Sequence, residues 1–232
     1  MLADRFPGGW EERAGEGWVE LSVYGGDGER ALLSGLPAPV SEQPVRDDWA
    51  QRWRDFHRPV AIGPLWVGPP WETAPGGAVT VVVDPGQAFG TGAHATTRLC
   101  LELLLGQEPA SLVDLGCGSG VLSIAAARLG FAPVTAVDVD PAAVTACREN
   151  ATRNGIALEA RRLDLRAEAP PPAELAVANL ERGLVEVVAP CVAARRLIAS
   201  AYLETDALAL PGWRALDRRT ADGWAAELFE RR

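Results

Sequence analysis

Hydrophobic positions along this chain change period as the sequence proceeds. Before residue 44 the one sustained pattern is strict alternation, Trp18-Val19-Glu20-Leu21-Ser22-Val23-Tyr24, which predicts a half-buried strand. Gly and Pro are dense around it, and Leu36-Pro37-Ala38-Pro39-Val40 with Pro44 reads as a linker. A short helix is predicted over 47–56, opened by Asp47 and Asp48. Its Trp49, Trp53 and Phe56 share one face, either lining a groove or packing the helix onto its neighbour. Beyond residue 60 the pattern becomes short apolar runs separated by amphipathic stretches. The runs at 65–67 and 79–83 flank Pro75-Gly76-Gly77 and predict a hairpin, followed by a helix from about 95 to 105. Strands are then predicted at 111–115, 134–138, 158–163, 174–179 and 196–201, with helices at 120–129, 141–153, 182–189 and 203–209. An antiparallel pair at 213–218 and 224–230 closes the count. Seven strands with interleaved helices imply an α/β fold with a doubly wound sheet covered on both faces.

One strand ends in Leu112-Val113-Asp114-Leu115-Gly116-Cys117-Gly118-Ser119-Gly120, an acidic residue followed by glycine at three alternate positions. Bare backbone at the carboxyl end of a parallel strand is where such sheets bind nucleotide-like ligands. The dinucleotide fingerprint Gly-x-Gly-x-x-Gly does not fit, because Val121 stands where its third glycine belongs. Asp114 beside the Gly-x-Gly-x-Gly turn suits a cationic ligand, such as S-adenosylmethionine with its amino group and sulfonium. The next strand ends in Asp138, about twenty residues beyond Gly116, where a carboxylate can grip ribose hydroxyls. Asp140 is an expected N-cap with Pro141 at the first helical position, so capping is the competing explanation for both aspartates.

Composition narrows the chemistry. The chain of 232 residues, 48% hydrophobic and 23% charged, suits one large domain or a medium one with a small attachment. It contains no lysine, all 22 basic residues being arginine, which removes Walker-type nucleotide loops and Schiff-base catalysis. A net charge of −9 argues against direct nucleic-acid binding and suits a basic partner. Four scattered cysteines and two histidines lack metal-ligand spacing, so no metal site is expected and the thiols are read as reduced, in a cytoplasmic protein. No apolar run is long enough to span a bilayer, and the first residues lack the pattern of a signal peptide.

Two further motifs lie near this turn. The loop Asp84-Pro85-Gly86-Gln87-Ala88-Phe89-Gly90-Thr91-Gly92-Ala93-His94-Ala95-Thr96-Thr97 ends in polar residues able to cap the helix from Ala95, and it would bring the start of that helix over the pocket. Asn179-Leu180 ends the strand at 174–179. The Asn179 amide and the Leu180 carbonyl can accept hydrogen bonds from an amine and aim its lone pair at a methyl carbon, whereas Asn179 alone is also a common turn former.

Together these motifs resemble the bacterial ribosomal-protein-L-eleven methyltransferase family over roughly residues 47–232. The resemblance implies a seven-stranded Rossmann-like methyltransferase sheet over 60–232, a linker helix at 45–59 and a small N-terminal α+β segment at 1–44 that docks the substrate. It implies cofactor contacts from Thr97, Gly116, Asp138 and Asn179, joined by Asp114, Gly118 and Gly120, with Asn179, Leu180 and Phe89 at the reacting groups. The implied activity is methylation of lysine ε-amines and the N-terminal α-amine of a ribosomal protein, free or pre-ribosomal, using S-adenosylmethionine. His94 is a candidate general base or an ordering residue of its loop. The N-terminal segment is short for the family's recognition module, Ala95 replaces a usual proline, and the family's Ser-Gly-Ile-Leu stretch reads Ser200-Ala201-Tyr202-Leu203. Two alternatives stay open: a methyltransferase of this fold acting on another protein or a small-molecule amine, and a non-catalytic cofactor-binding, ribosome-associated protein.

Overall fold

The computed structural model describes residues 11–15, 18–22, 40–41, 58–84 and 92–232. The expected helix at 47–56, with Trp49, Trp53 and Phe56, and the residue Phe89 lie outside them. The chain divides into two compact units, Met1–Trp49 and Ala50–Arg232. In the first, strand β1 (Glu11–Gly15) pairs antiparallel with β2 (Trp18–Ser22), Gly15 opposite Trp18. The alternation predicted from Trp18 therefore forms a strand over 18–22, while Val23 and Tyr24 lie outside the described residues. Its partner, Glu11-Glu12-Arg13-Ala14-Gly15, carries too little apolar signal to be read from sequence.

Among the described residues of the second unit, a three-stranded sheet comes first: β3 (Val60–Ile62), β4 (Leu65–Gly68) and β5 (Val79–Val82). The hairpin is β3–β4, and β4 and β5 run parallel, which corrects the expectation of a hairpin across 65–83. Ten residues separate β4 from β5, enough for the chain to cross back until Val79 N–H reaches the Pro64 carbonyl at 2.9 Å.

After helix α1 (Ala95–Leu105) comes the main sheet: β6 (Leu112–Leu115), β7 (Val134–Asp138), β8 (Glu159–Arg162), β9 (Leu175–Asn179), β10 (Arg196–Leu203), β11 (Trp213–Ala221) and β12 (Trp224–Arg231). Helices α2 (Val121–Arg128), α3 (Pro141–Arg153) and α4 (Arg182–Val188) connect its parallel strands. The spatial order is β11-β12-β10-β9-β6-β7-β8; β8 through β10 are parallel and β12 and β11 antiparallel. The chain starts in the middle at β6, runs to one edge, and returns across β6 to β9. That reversal between β6 and β9 opens a crevice at the carboxyl ends of the strands.

Central β6 is buried along its whole length, as a parallel strand covered on both faces must be. One face packs Leu112, Val177 and Ile198 with Leu99, Leu103 and Ile124 from α1 and α2, and Val67 and Val81 of the small sheet join the same core. The other face packs Val113, Ala176 and Leu197 with Val185 and Val188 of α4 and with Leu208, Leu210 and Trp213.

The helix expected at 203–209 does not form. Leu208 and Leu210 are buried on either side of Ala209, the two-residue period of extended chain. Arg218 also donates to the Glu204 and Asp206 carbonyls, both at 2.8 Å, occupying acceptors that a helix would use itself. Just before this segment β10 is irregular between Ser200 and Tyr202, and Ala201 sits at φ +74°. The left-handed region costs an L-residue about 1–2 kcal/mol. Ala201→Gly is therefore expected to raise stability by about 1 kcal/mol, read as a higher melting temperature. An unchanged or lower value would show that the bulge tolerates Ala201 without strain.

Candidate active site

Register places three strand tips side by side. Leu115 of β6 is paired with Val137 of β7 on one side and with Ala178 of β9 on the other, so Gly116, Asp138 and Asn179 come next on three adjacent strands. Ser200 of β10 lies opposite Asn179. The sequence-predicted residues Gly116, Gly118, Gly120, Asp138 and Asn179 are thus brought to one edge of the sheet.

The turn after β6 is shaped by its glycines. Gly116, Gly118 and Gly120 all have positive φ, at +74°, +51° and +83°. A Cβ on Gly116 would come within 2.3 Å of Leu180 Cδ2, and one on Gly120 within 3.1 Å of the Cys147 Cα. Leu180 of the β9 tip and helix α3 therefore pack directly on bare backbone. Gly116 and Cys117 donate to the Val137 carbonyl at 2.8 and 3.0 Å, tying the turn to β7.

Asp138 does two structural jobs. Its Oδ2 accepts from Gly118 N–H and its Oδ1 from Asp140 N–H, each at 3.0 Å. A carboxylate has about four lone-pair sites, so these bonds leave acceptor capacity on a half-buried side chain. Asp140 is the N-cap of α3, accepting from Ala142 N–H at 2.8 Å, with Pro141 following as expected. The capping explanation therefore holds for Asp140, while Asp138 braces the glycine turn.

Asp114 lies beneath the turn, 1% exposed. Its Oδ2 accepts from Ser123 N–H at 3.1 Å and from Ser123 Oγ at 2.6 Å, pinning the first turn of α2 to the strand. Its other oxygen is buried and has no hydrogen-bond partner among the described residues. Burial pushes this carboxyl up from its usual range to about 6, partly offset by the Ser123 bonds. Between the unfolded value near 4 and the folded one near 6, the folded protein binds more protons, so this group favours folding increasingly as pH falls through that window. Asp114→Asn is expected to flatten the rise in melting temperature between pH 7 and pH 5. An identical pH profile in the variant would exclude Asp114 as its source.

Helix α1 brings the second motif to the third. His94 is its N-cap: Thr96 N–H donates to His94 Nδ1 at 3.4 Å, and Thr96 Oγ1 lies 2.8 Å from the same nitrogen. The His94 ring meets Trp224 edge to face at 5.2 Å, and Arg98 pairs with Asp222, fixing the start of α1 against β12 and the turn that precedes it. These contacts are those of a residue that orders its loop. Thr97 is not a cap. It is fully buried one position further on, and its Oγ1 accepts from Asn179 Nδ2 at 3.3 Å. That bond orients the Asn179 amide, whose buried Oδ1 has no hydrogen-bond partner among the described residues.

The structure adds residues that the sequence reading passed over. Asn150 of α3 and Asn154, the C-cap one turn further on, hold β5 and the residues just past it by their backbone. Asn154 accepts from Val82 N–H at 2.9 Å and donates to the Val82 carbonyl at 2.7 Å. Asn150 accepts from Asp84 N–H and donates to the Ser119 carbonyl inside the glycine turn, both at 3.0 Å. The available signal was two helix-disfavoured asparagines in register with the buried Ala143, Cys147 and Ala151. On the other flank, Arg182 at the start of α4 reaches Asp206 at 3.7 Å. Arg218, which holds the 204–206 carbonyls, pairs with buried Glu227 at 2.7 Å, and Tyr202 donates to the same carboxylate at 2.9 Å.

Comparison with known proteins agrees with this architecture. The family model of ribosomal protein L11 methyltransferase (PrmA) matches residues 33–203. The chain is 40% identical to the ribosomal protein L11 methyltransferase of Symbiobacterium thermophilum, over 95% of this chain and 79% of that protein. It is 47% identical to the Azotobacter vinelandii protein of the same name over 71% of this chain, and spans 58% of that relative's length. The crystal structure of ribosomal protein L11 methylase from Lactobacillus delbrueckii subsp. bulgaricus superposes with a TM-score of 0.65 at 27% identity, covering 76% of this chain and all of that one. A glycine turn, an aspartate and an asparagine on three neighbouring strand tips, together with these matches, place the chain in the ribosomal protein L11 methyltransferase family.

Proposed function

We propose that this protein transfers a methyl group from S-adenosylmethionine to amines of ribosomal protein L11, at lysine ε-amino groups, the N-terminal α-amino group or both. The carrying observation is the Asn179 amide: an acceptor oxygen without a partner among the described residues, at the tip of β9, aligned by Thr97 and flanked by the glycine turn. The residues present fit the cofactor. Gly116, Gly118 and Gly120 offer backbone without side chains, Asp138 keeps free lone pairs for ribose hydroxyls, and Asp114 holds the turn from below. When bound, S-adenosylmethionine supplies an electrophilic methyl group that a neutral amine accepts by in-line displacement.

The chain's own contribution is orientation and exclusion of water. The Asn179 Oδ1 and the Leu180 carbonyl accept the N–H bonds of the incoming amine, which points its lone pair away from them. Phe89 belongs to the same site by family resemblance. An ammonium has no lone pair, so the target amine must arrive neutral, and a desolvated pocket favours that form. The 204–206 segment, which follows the tip of β10, is locked by Arg218 and joined to α4 through Arg182. In this reading residues 1–44 recognise the substrate, 45–59 link, and 60–232 carry the reaction in the cytoplasm. A net charge of −9 suits a basic ribosomal protein as partner.

The test is incubation of the purified chain with labelled S-adenosylmethionine and purified bacterial L11, followed by mapping of the modified amines. Label on L11 lysines or its N-terminus is the expected result. Label only on other lysate proteins or small amines would move the assignment to another amine substrate. Cofactor binding with no transfer to any fraction would leave a non-catalytic binding protein.

A further inference from the structure

We propose that Asn150 is a positioning residue that holds the glycine turn in its cofactor-binding shape, clamping the Ser119 carbonyl with a side chain that is itself anchored on the Asp84 amide. The inference rests on the reading of the turn as the S-adenosylmethionine site. Ser119 is the residue between Gly118 and Gly120, and among backbone units a glycine-flanked one has the widest conformational choice. Three glycines with positive φ make the turn geometrically possible but do little to select it. The selection must come from bonds to neighbours. Below, Asp138 takes the Gly118 N–H. Within the turn, Gly120 N–H reaches the Cys117 carbonyl at 2.8 Å. The Ser119 carbonyl is taken by Asn150 Nδ2, from a side chain 2% exposed.

An asparagine amide is suited to this place because it is donor and acceptor at once. While Nδ2 donates to Ser119, Oδ1 accepts from Asp84 N–H. The second bond prevents the amide from rotating away from the first. Asp84, two residues past the end of β5, opens the stretch that leads to α1, and Arg153, the last residue of α3, pairs with the Asp84 carboxylate at 3.3 Å. One buried side chain therefore ties the start of the segment that delivers Thr97 to the middle of the turn. Asn154 supplies an internal comparison. It caps the same helix one turn further on and bonds β5 at Val82, and its side chain meets the Val82 backbone and the Asn150 carbonyl, none of them in the turn.

Three variants separate clamping from general packing. Asn150→Ala removes both bonds. Asn150→Asp keeps the acceptor for Asp84 N–H but sets a carboxylate oxygen against the Ser119 carbonyl, breaking only the clamp. Asn154→Ala removes the Val82 bonds. All three are expected to melt earlier than the parent, so binding is measured by calorimetry with S-adenosylhomocysteine well below the lowest melting temperature. Both Asn150 variants are expected to bind about ten-fold more weakly, and Asn154→Ala within about two-fold of the parent. In ligand-free protein, exchange of the Gly120 amide is expected to quicken about ten-fold in the Asn150 variants only. Parent-like affinity in Asn150→Asp, or an equal loss in Asn154→Ala, would overturn the clamp. If the parent itself fails to bind S-adenosylhomocysteine, the functional reading falls instead, and the Gly120 exchange rates still decide whether Asn150 holds the turn.

Discussion

Asn179→Ala is expected to lower turnover about 10²-fold while cofactor affinity falls far less. The reason lies in what the side chain does. Its Nδ2 is spent on Thr97 Oγ1, which fixes the amide plane, and its Oδ1 is left as an acceptor for the amine. Alanine removes the guide for the lone pair but leaves the glycine turn, Asp138 and the β6–β9 pairing in place. Misplacing a reacting atom by about 1 Å can cost 10²-fold in rate, whereas the cofactor loses at most one of many contacts. The measurement is kcat for L11 methylation alongside calorimetric titration of S-adenosylhomocysteine. A kcat equal to the parent's would remove Asn179 from the reaction. A drop in affinity as large as the drop in kcat would recast it as a cofactor-binding residue only. Thr97→Val, which keeps the shape but deletes the oxygen, should show a milder form of the same split, because Asn179 then loses its orientation but not its acceptor.

Asp138→Ala is expected to weaken cofactor binding about 100-fold, since two charge-assisted hydrogen bonds to ribose hydroxyls are worth about 1.5 kcal/mol or more each. Part of that loss would come through the turn, because the Gly118 and Asp140 N–H groups lose their acceptor together. Asp138→Asn discriminates the two contributions. It keeps one oxygen for Gly118 but gives up the charge, so an affinity midway between parent and alanine variant points to direct ribose contact. Affinity in Asp138→Ala indistinguishable from the parent's would take Asp138 out of the site and leave it a loop brace.

Much of the site was legible because its parts are local. Gly116, Gly118 and Gly120 announce a turn of positive φ, the apolar run before them announces a buried strand, and Asp140-Pro141 announces the start of α3. Each is a preference of a few consecutive residues, and none needed knowledge of what lies across the fold. The misreadings came where a partner distant in sequence decided. The 203–209 stretch contains Leu, Glu and Ala, good helix formers, yet Arg218 takes its carbonyls and the opposite face of the sheet buries Leu208 and Leu210. The runs at 65–68 and 79–82 resemble the arms of a hairpin, yet which way a strand docks depends on the path of the chain between them. Asn150 and Asn154 were invisible because an asparagine on a helix declares nothing about which backbone it will meet.

By itself the sequence determined the doubly wound class, the order of strands and helices from β6 to β10, and the candidate residues at the strand tips, because hydrophobic period, glycine and capping chemistry act within a few residues of themselves. Only tertiary structure decided that Gly116, Asp138 and Asn179 stand on adjacent strands, that Thr97 rather than a cap orients Asn179, and that Asn150 reaches the turn. Those relations span tens of residues along the chain. They exist only once β9 has returned past β6 and the helices have packed on both faces of the sheet, which brings these distant side chains within hydrogen-bond reach.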